Sequence, residues 1–177
     1  ILSKQTKLKS LRISNQLVLD VDIINAVSDS STLEELAINA AHVPPESFRK
    51  LDKLKKLKDV TLQFSYPNFK ETPRLKRFAE FDNVSLEKLS LKPYKGIPAN
   101  VLTLLAKSVP HLKHLKVDPF YWSHTRFNCT SEEEAIMNSL SFVEILDIKV
   151  FERPNCESKY LNPNLRELKM SVDNRCE

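Results

Sequence analysis

Few residues in this chain are typed and spaced for chemistry. Four histidines occur, His42, His111, His114 and His124. Of these, His111-x-x-His114 with Cys129 downstream is the spacing that could suggest zinc. A zinc site needs ligands that converge on one ion. His111 precedes an expected strand and His114 points outward from it, so the two diverge and no metal is expected. Gly96 is the only glycine, so no glycine-rich loop can bring backbone close to a phosphate. No Gly-x-Ser-x-Gly, His-Glu-x-x-His or Walker phrase occurs. Glu132, Glu133 and Glu134 fit an acidic first turn of a helix. Lys53, Lys55, Lys56 and Lys58 fit a solvated run near a helix end. The expectation is a protein that is not an enzyme, with no catalytic residue and no cofactor.

Residues suited to gripping a partner are easier to find. The stretch 118–127 carries Tyr121, Trp122 and Arg126, including the only tryptophan. Trp, Tyr and Arg are the types that most often anchor interfaces. Phe120 and Phe127 in the same stretch read as core plugs. The stretch 64–69 adds Tyr66 and Phe69, with Phe64 read as core. Lys88, Lys92 and Lys116 form a local basic cluster if these strand positions share one face, and His114 is a further candidate binding residue there.

Those residues need elements that bring them together, and one phrase supplies them. Leu-x-x-Leu-x-Φ, with Φ large and apolar, recurs seven times. It appears as Leu8-Leu11-Ile13, Leu33-Leu36-Ile38, Leu57-Val60-Leu62, Leu86-Leu89-Leu91, Leu112-Leu115-Val117, Val143-Leu146-Ile148 and Leu165-Leu168-Met170. The first residues are spaced by 25, 24, 29, 26, 31 and 22. Alternate strand residues face opposite sides. The apolar members therefore enter a core, and the residues between them face out. Strands one repeat apart must be parallel, so each needs a crossover.

The connectors carry helical signals. Within 45–54, Phe48, Leu51 and Leu54 recur at three-residue steps. Thr72-Pro73 offers an N-cap and a first-turn proline before Leu75, Phe78 and Ala79. Pro98 precedes Val101, Leu105 and Val109, and Ser131 with Glu134 makes a capping-box pattern before Ile136 and Leu140. Ile23, Ile24 and Val27 form a shorter stripe.

A period in the twenties with this phrase resembles the leucine-rich-repeat superfamily over essentially the whole chain. The resemblance implies an α/β leucine-rich-repeat solenoid, a horseshoe of about seven irregular repeats. Its parallel sheet would line the concave face and its helices the convex face. The positions where many family members carry an Asn or Cys ladder hold Gln16, Ala41, Ser65, Tyr94, Phe120, Phe151 and Asp173. Irregular repeat lengths and Lys-rich connectors are more similar to the substrate-recognition arm of F-box-type cullin-RING ubiquitin ligases. That subclass implies a cytoplasmic or nuclear protein, with a Skp adaptor as partner only if an F-box lies outside these residues. A non-ligase scaffold and a secreted or receptor ectodomain are the alternatives.

Composition is compatible with these readings. The 177 residues carry 27 basic and 23 acidic side chains, a net charge of +4, and are 41% hydrophobic. This mild bias, without a basic stripe broken by stacking aromatics, points away from nucleic acid as partner. The longest apolar stretch, near 101–106, falls far short of a membrane span, so no membrane partner is expected. One domain over 1–177 is expected, a fragment of a longer chain. Cys129, Cys156 and Cys176 are too few and too odd for a disulfide framework, which favours a reducing compartment. Pairing of Cys156 with Cys176 is left open, and so are glycans on Asn83 and Asn128, whose sequons would suit the ectodomain alternative.

Overall fold

A computed structural model describes residues 7–13, 20–39, 45–63, 85–92, 108–120, 140–150 and 162–172. Seven strands form one sheet in the order of the sequence: β1 Ser10–Arg12, β2 Glu35–Asn39, β3 Asp59–Gln63, β4 Lys88–Lys92, β5 His114–Phe120, β6 Ile145–Val150 and β7 Glu167–Val172. All six neighbouring pairs are parallel. Each strand is the middle of one Leu-x-x-Leu-x-Φ phrase, and equivalent positions align across the sheet. Leu36, Val60, Leu89, Leu115, Leu146 and Leu168 follow one another in register. The fold is a solenoid-like α/β arrangement with one strand per repeat.

The core is the inward half of this alternation. Leu57, Val60, Leu62, Leu86, Leu91 and Leu115 are fully buried. They join Leu33, Leu36, Ile38, Leu89, Leu112, Val117, Val143 and Leu146 in one continuous cluster. Burying a side chain of this size stabilises by about 1.5–3 kcal/mol. The cluster also takes Ile24 and Val27 from a helix, α1 Asp20–Val27, Leu51 from the segment Pro45–Lys53, and Leu54 just after it.

Pro45–Lys53, expected to be helical from its three-residue steps, is a 3-10 helix. Such a helix turns once in three residues. The three-residue spacing of Leu51, Leu54 and Leu57 keeps all three in the core, where an α-helix would rotate them out of line. The backbone N–H of Leu54 donates to the Leu51 carbonyl at 3.0 Å, and that of Leu57 to the Leu54 carbonyl at 3.0 Å. Lys50 donates to the Asn25 side-chain carbonyl and so ties this helix to α1. The helices expected after Thr72, Pro98 and Ser131 fall mainly outside the described residues.

The same tight turn recurs before later strands. Leu112, Val143 and Leu165 donate to the carbonyls of Val109, Leu140 and Asn162, each at 3.0 Å. A second series marks the strand entrance. The Lys9 carbonyl accepts the N–H groups of Glu34 and Glu35, and the Glu34 carbonyl those of Lys58 and Asp59. The carbonyls of Lys58, Glu87, Lys113 and Glu144 continue the series to Glu167. Polar side chains also bond the backbone of the preceding repeat. Thr32 donates to the Leu8 carbonyl at 2.9 Å and Ser85 to the Leu57 carbonyl at 3.0 Å. Asn162 donates to the carbonyls of Leu140 at 3.0 Å and Val143 at 2.8 Å.

The residues at the strand entrance also alternate in charge. In chain order they are Lys9, Glu34, Lys58, Glu87, Lys113, Glu144 and Arg166. Lys9 meets Glu34 at 3.2 Å, Lys113 meets Glu87 at 3.7 Å and Arg166 meets Glu144 at 3.4 Å.

Two expectations about the strands need correction. The stretch beginning at Asp118, read as the start of a loop, continues β5 as far as Phe120. Pairing with β6 jumps from Val117↔Ile148 to Phe120↔Val150. Pro119 has no N–H for the ladder, and an irregularity is where a strand tolerates proline. Leu168, read as core, is 41% exposed. Among the described residues its strand, β7, pairs only with β6.

Candidate binding surface

The sheet face opposite the core carries two complete rows of side chains. One row runs Ser10, Glu35, Asp59, Lys88, His114, Ile145, Glu167, and the other runs Arg12, Ala37, Thr61, Ser90, Lys116, Asp147, Lys169. A shorter third row holds Asn39, Gln63 and Lys92. Parallel register places each side chain beside its neighbours from the repeats before and after.

The two ends of this face pair internally. Glu35 accepts hydrogen bonds from Ser10 at 2.9 Å and Arg12 at 3.3 Å. These contacts, Ser10 first and Arg12 next, hold its carboxyl below the usual carboxylate range. Near the other end, Lys169 meets Glu167 at 3.0 Å.

The middle of the face differs. Lys88 and His114 lie side by side in register, and Lys116 follows Ser90 in the next row. Lys116 donates to Asp147 at 2.6 Å, and its side chain is half-buried. Its charge is therefore compensated within the sheet, which removes it from the free basic cluster expected from sequence. Lys88 and Lys92 are exposed. Among the described residues no carboxylate forms an ion pair with either.

His114 is half-buried, and its Nε2 has no hydrogen-bond partner. Burial, and then the nearby Lys88 charge, push its pKa below the ordinary histidine value. Lys169 adds to that depression, while Asp147 and Asp59 oppose it. The neutral ring lies between Lys88 and Ile145 in the row. Ile145 puts a large apolar side chain on a largely polar face, where it is half-buried.

The expected binding residues divide accordingly. Lys88, His114 and Lys116 share the central face, with Lys92 in the row above. Tyr66, Phe69, Tyr121, Trp122 and Arg126 lie outside the described residues, as do Cys129, Cys156 and Cys176. Asn39, expected to face solvent, is buried at 4% exposure. Buried amides are ordinarily hydrogen-bonded, so Asn39 belongs to the framework rather than to the open surface. The sequence pattern places Ile145 and Asp147 on this face. Sequence reasoning passed over Asp147 as the partner of Lys116 and the alternating charges at the strand entrance, both of which are visible when the seven phrases are aligned and read column by column.

Among the described residues no group of three or more His, Cys, Asp or Glu side chains could hold a metal ion. Among the same residues no helix is long and apolar enough to cross a membrane.

No protein-family model matches the sequence, and no curated protein matches it. Among solved structures, the tropomodulin C-terminal domain from Caenorhabditis elegans is similar, with a TM-score of 0.48 and 18% identity over 73% of this chain and 82% of that one. The fold assignment rests on the strand order and register described above.

Proposed function

We propose that this chain is a protein-interaction module that grips its partner on the open face of the sheet. In this reading the repeats form a leucine-rich-repeat horseshoe, with the sheet on its concave side and the connectors on its convex side. The observation that carries the proposal is the middle of the face. There the half-buried His114, the apolar Ile145 and the exposed Lys88 lie side by side in one row, and Lys92, also exposed, lies further along the same strand as Lys88. Such a surface suits a partner segment that brings apolar contact and carboxylates. Lys116, held by Asp147, shapes the site more than it attracts charge. Tyr66, Phe69, Tyr121, Trp122 and Arg126 enter the proposal as a rim above that face. Binding, not catalysis, is the role this arrangement supports.

The test is affinity capture from native lysate with the parent chain and a Lys88→Glu, Lys92→Glu double variant. The variant should lose the captured protein while circular dichroism and melting temperature stay unchanged, because both side chains are exposed. Capture of the same partner at undiminished yield would overturn the proposal.

The narrower reading is the substrate-recognition arm of an F-box-type ubiquitin ligase, in the cytoplasm or nucleus. It rests on the resemblance in repeat lengths and Lys-rich connectors, since one fold serves many functions. It requires a Skp adaptor bound to an F-box outside these residues.

A further inference from the structure

The net charge of the chain is concentrated in one short connector. Residues 49–58, which lead from the 3-10 helix into β3, carry six basic side chains and one acidic one. That is +5 within ten residues of a chain whose total is +4, so the other 167 residues together carry −1. Leu51, Leu54 and Leu57 turn one side of this connector into the core, where all three are fully buried. Side chains three apart lie in line on such a helix. The buried leucines therefore force the residues between them onto the outward sides. Arg49, Lys50, Lys53, Lys55, Lys56 and Lys58 are all exposed. Among the described residues no carboxylate forms an ion pair with Lys53, Lys55, Lys56 or Lys58.

We propose that this basic ridge docks the protein on an anionic lipid surface, by charge alone and without insertion. Clusters of about four to eight Lys or Arg are attracted to acidic lipid headgroups. Five of these six cations are lysines. Lysine is depleted in protein–protein interfaces, and bidentate recognition of single phosphates uses the arginine fork. Point charges on flexible stems suit a fluid headgroup layer, whose lipids can gather beneath each one. The leucines of the connector are committed to the core, which leaves them nothing to sink among acyl chains. The expectation of no membrane partner rested on the lack of a spanning stretch, and contact at headgroup level needs none. The slightly acidic remainder of the chain is repelled by the same surface, which turns the ridge towards it. The ridge shares no residue with the open sheet face, so this docking and partner capture stand or fall independently.

The test is co-sedimentation of the 177-residue chain with phosphatidylcholine vesicles containing roughly a third phosphatidylserine, and with phosphatidylcholine vesicles alone. The chain should bind the first and not the second, and should be released at about 1 M salt. Lys53→Gln with Lys56→Gln should weaken binding about thirtyfold, at about fivefold per lysine, and so should Lys55→Gln with Lys58→Gln. Lys7→Gln with Lys113→Gln makes the same charge change at exposed lysines elsewhere and should leave binding unchanged. All three variants should keep the parent melting temperature, because every altered side chain is exposed. Equal binding by the parent and the ridge variants, an equal loss in the Lys7 and Lys113 pair, or no binding to the phosphatidylserine vesicles would overturn the proposal. So would stoichiometric displacement by an oligonucleotide or by polyglutamate, which would assign the ridge to nucleic acid or to an acidic polypeptide.

Discussion

His114 occupies a position that favours its neutral form. Its ring is half-buried beside Lys88, with Lys169 also near, and Asp147 and Asp59 only partly offset them. The folded chain therefore binds the His114 proton less readily than the unfolded chain. Stability from this residue is fully present above the ordinary histidine value of 6.5 and falls as pH drops below it, towards the lowered folded value. Glu35 behaves differently. Its depressed pKa keeps its contribution intact at these pH values, and that contribution is lost only in acid below 4.5. The urea midpoint should fall between pH 7.5 and pH 5, and His114→Gln should make that fall smaller. An identical pH profile for the variant would show that His114 carries none of it.

At the scale of elements, coverage by the next repeat decides what a leucine is worth. Leu146 and Leu168 hold the same place in adjacent strands, yet one is 2% and the other 41% exposed. Leu146→Ala should cost about 2–5 kcal/mol, as large-to-small changes in packed cores do. Leu168→Ala should cost about 1 kcal/mol or less. Chemical denaturation of the two variants checks this, and similar losses would mean that Leu168 is covered in solution. The strands were legible because a period of two in a recurring phrase admits one folding solution: apolar side in, polar side out. The 3-10 helix was half legible. The three-residue steps were visible, but an apolar stripe alone does not fix which backbone hydrogen bonds form, and those distinguish a 3-10 from an α-helix. The extension of β5 through Pro119 was not legible, because proline ordinarily argues against a strand and the shifted pairing with β6 depends on distant residues. The basic cluster was legible as a set of positions. Its electrostatics were not, because the Asp147 that neutralises Lys116 lies 31 residues away in sequence.

For the whole molecule, all strand pairing is between successive repeats. Stability is then close to a sum of repeats and their junctions, and the ends have one junction fewer. Hydrogen exchange should be fastest in β1 and β7 and slowest in β3 to β5, with a gradient between them. Uniform protection across all seven strands would instead indicate a single cooperative unit. Long connectors are tolerated in such a design because each changes only the loop between two fixed strands. The repeat spacings of 22 to 31 residues show this tolerance.

The unbroken sequence order of the sheet has a mechanical consequence. Traction applied at the first and last ribs acts along the line of the cross-rib bonds, which therefore open one rank at a time instead of resisting together in shear. A tether pulling on both extremities would lengthen this protein in small steps at low force, as a soft spring does.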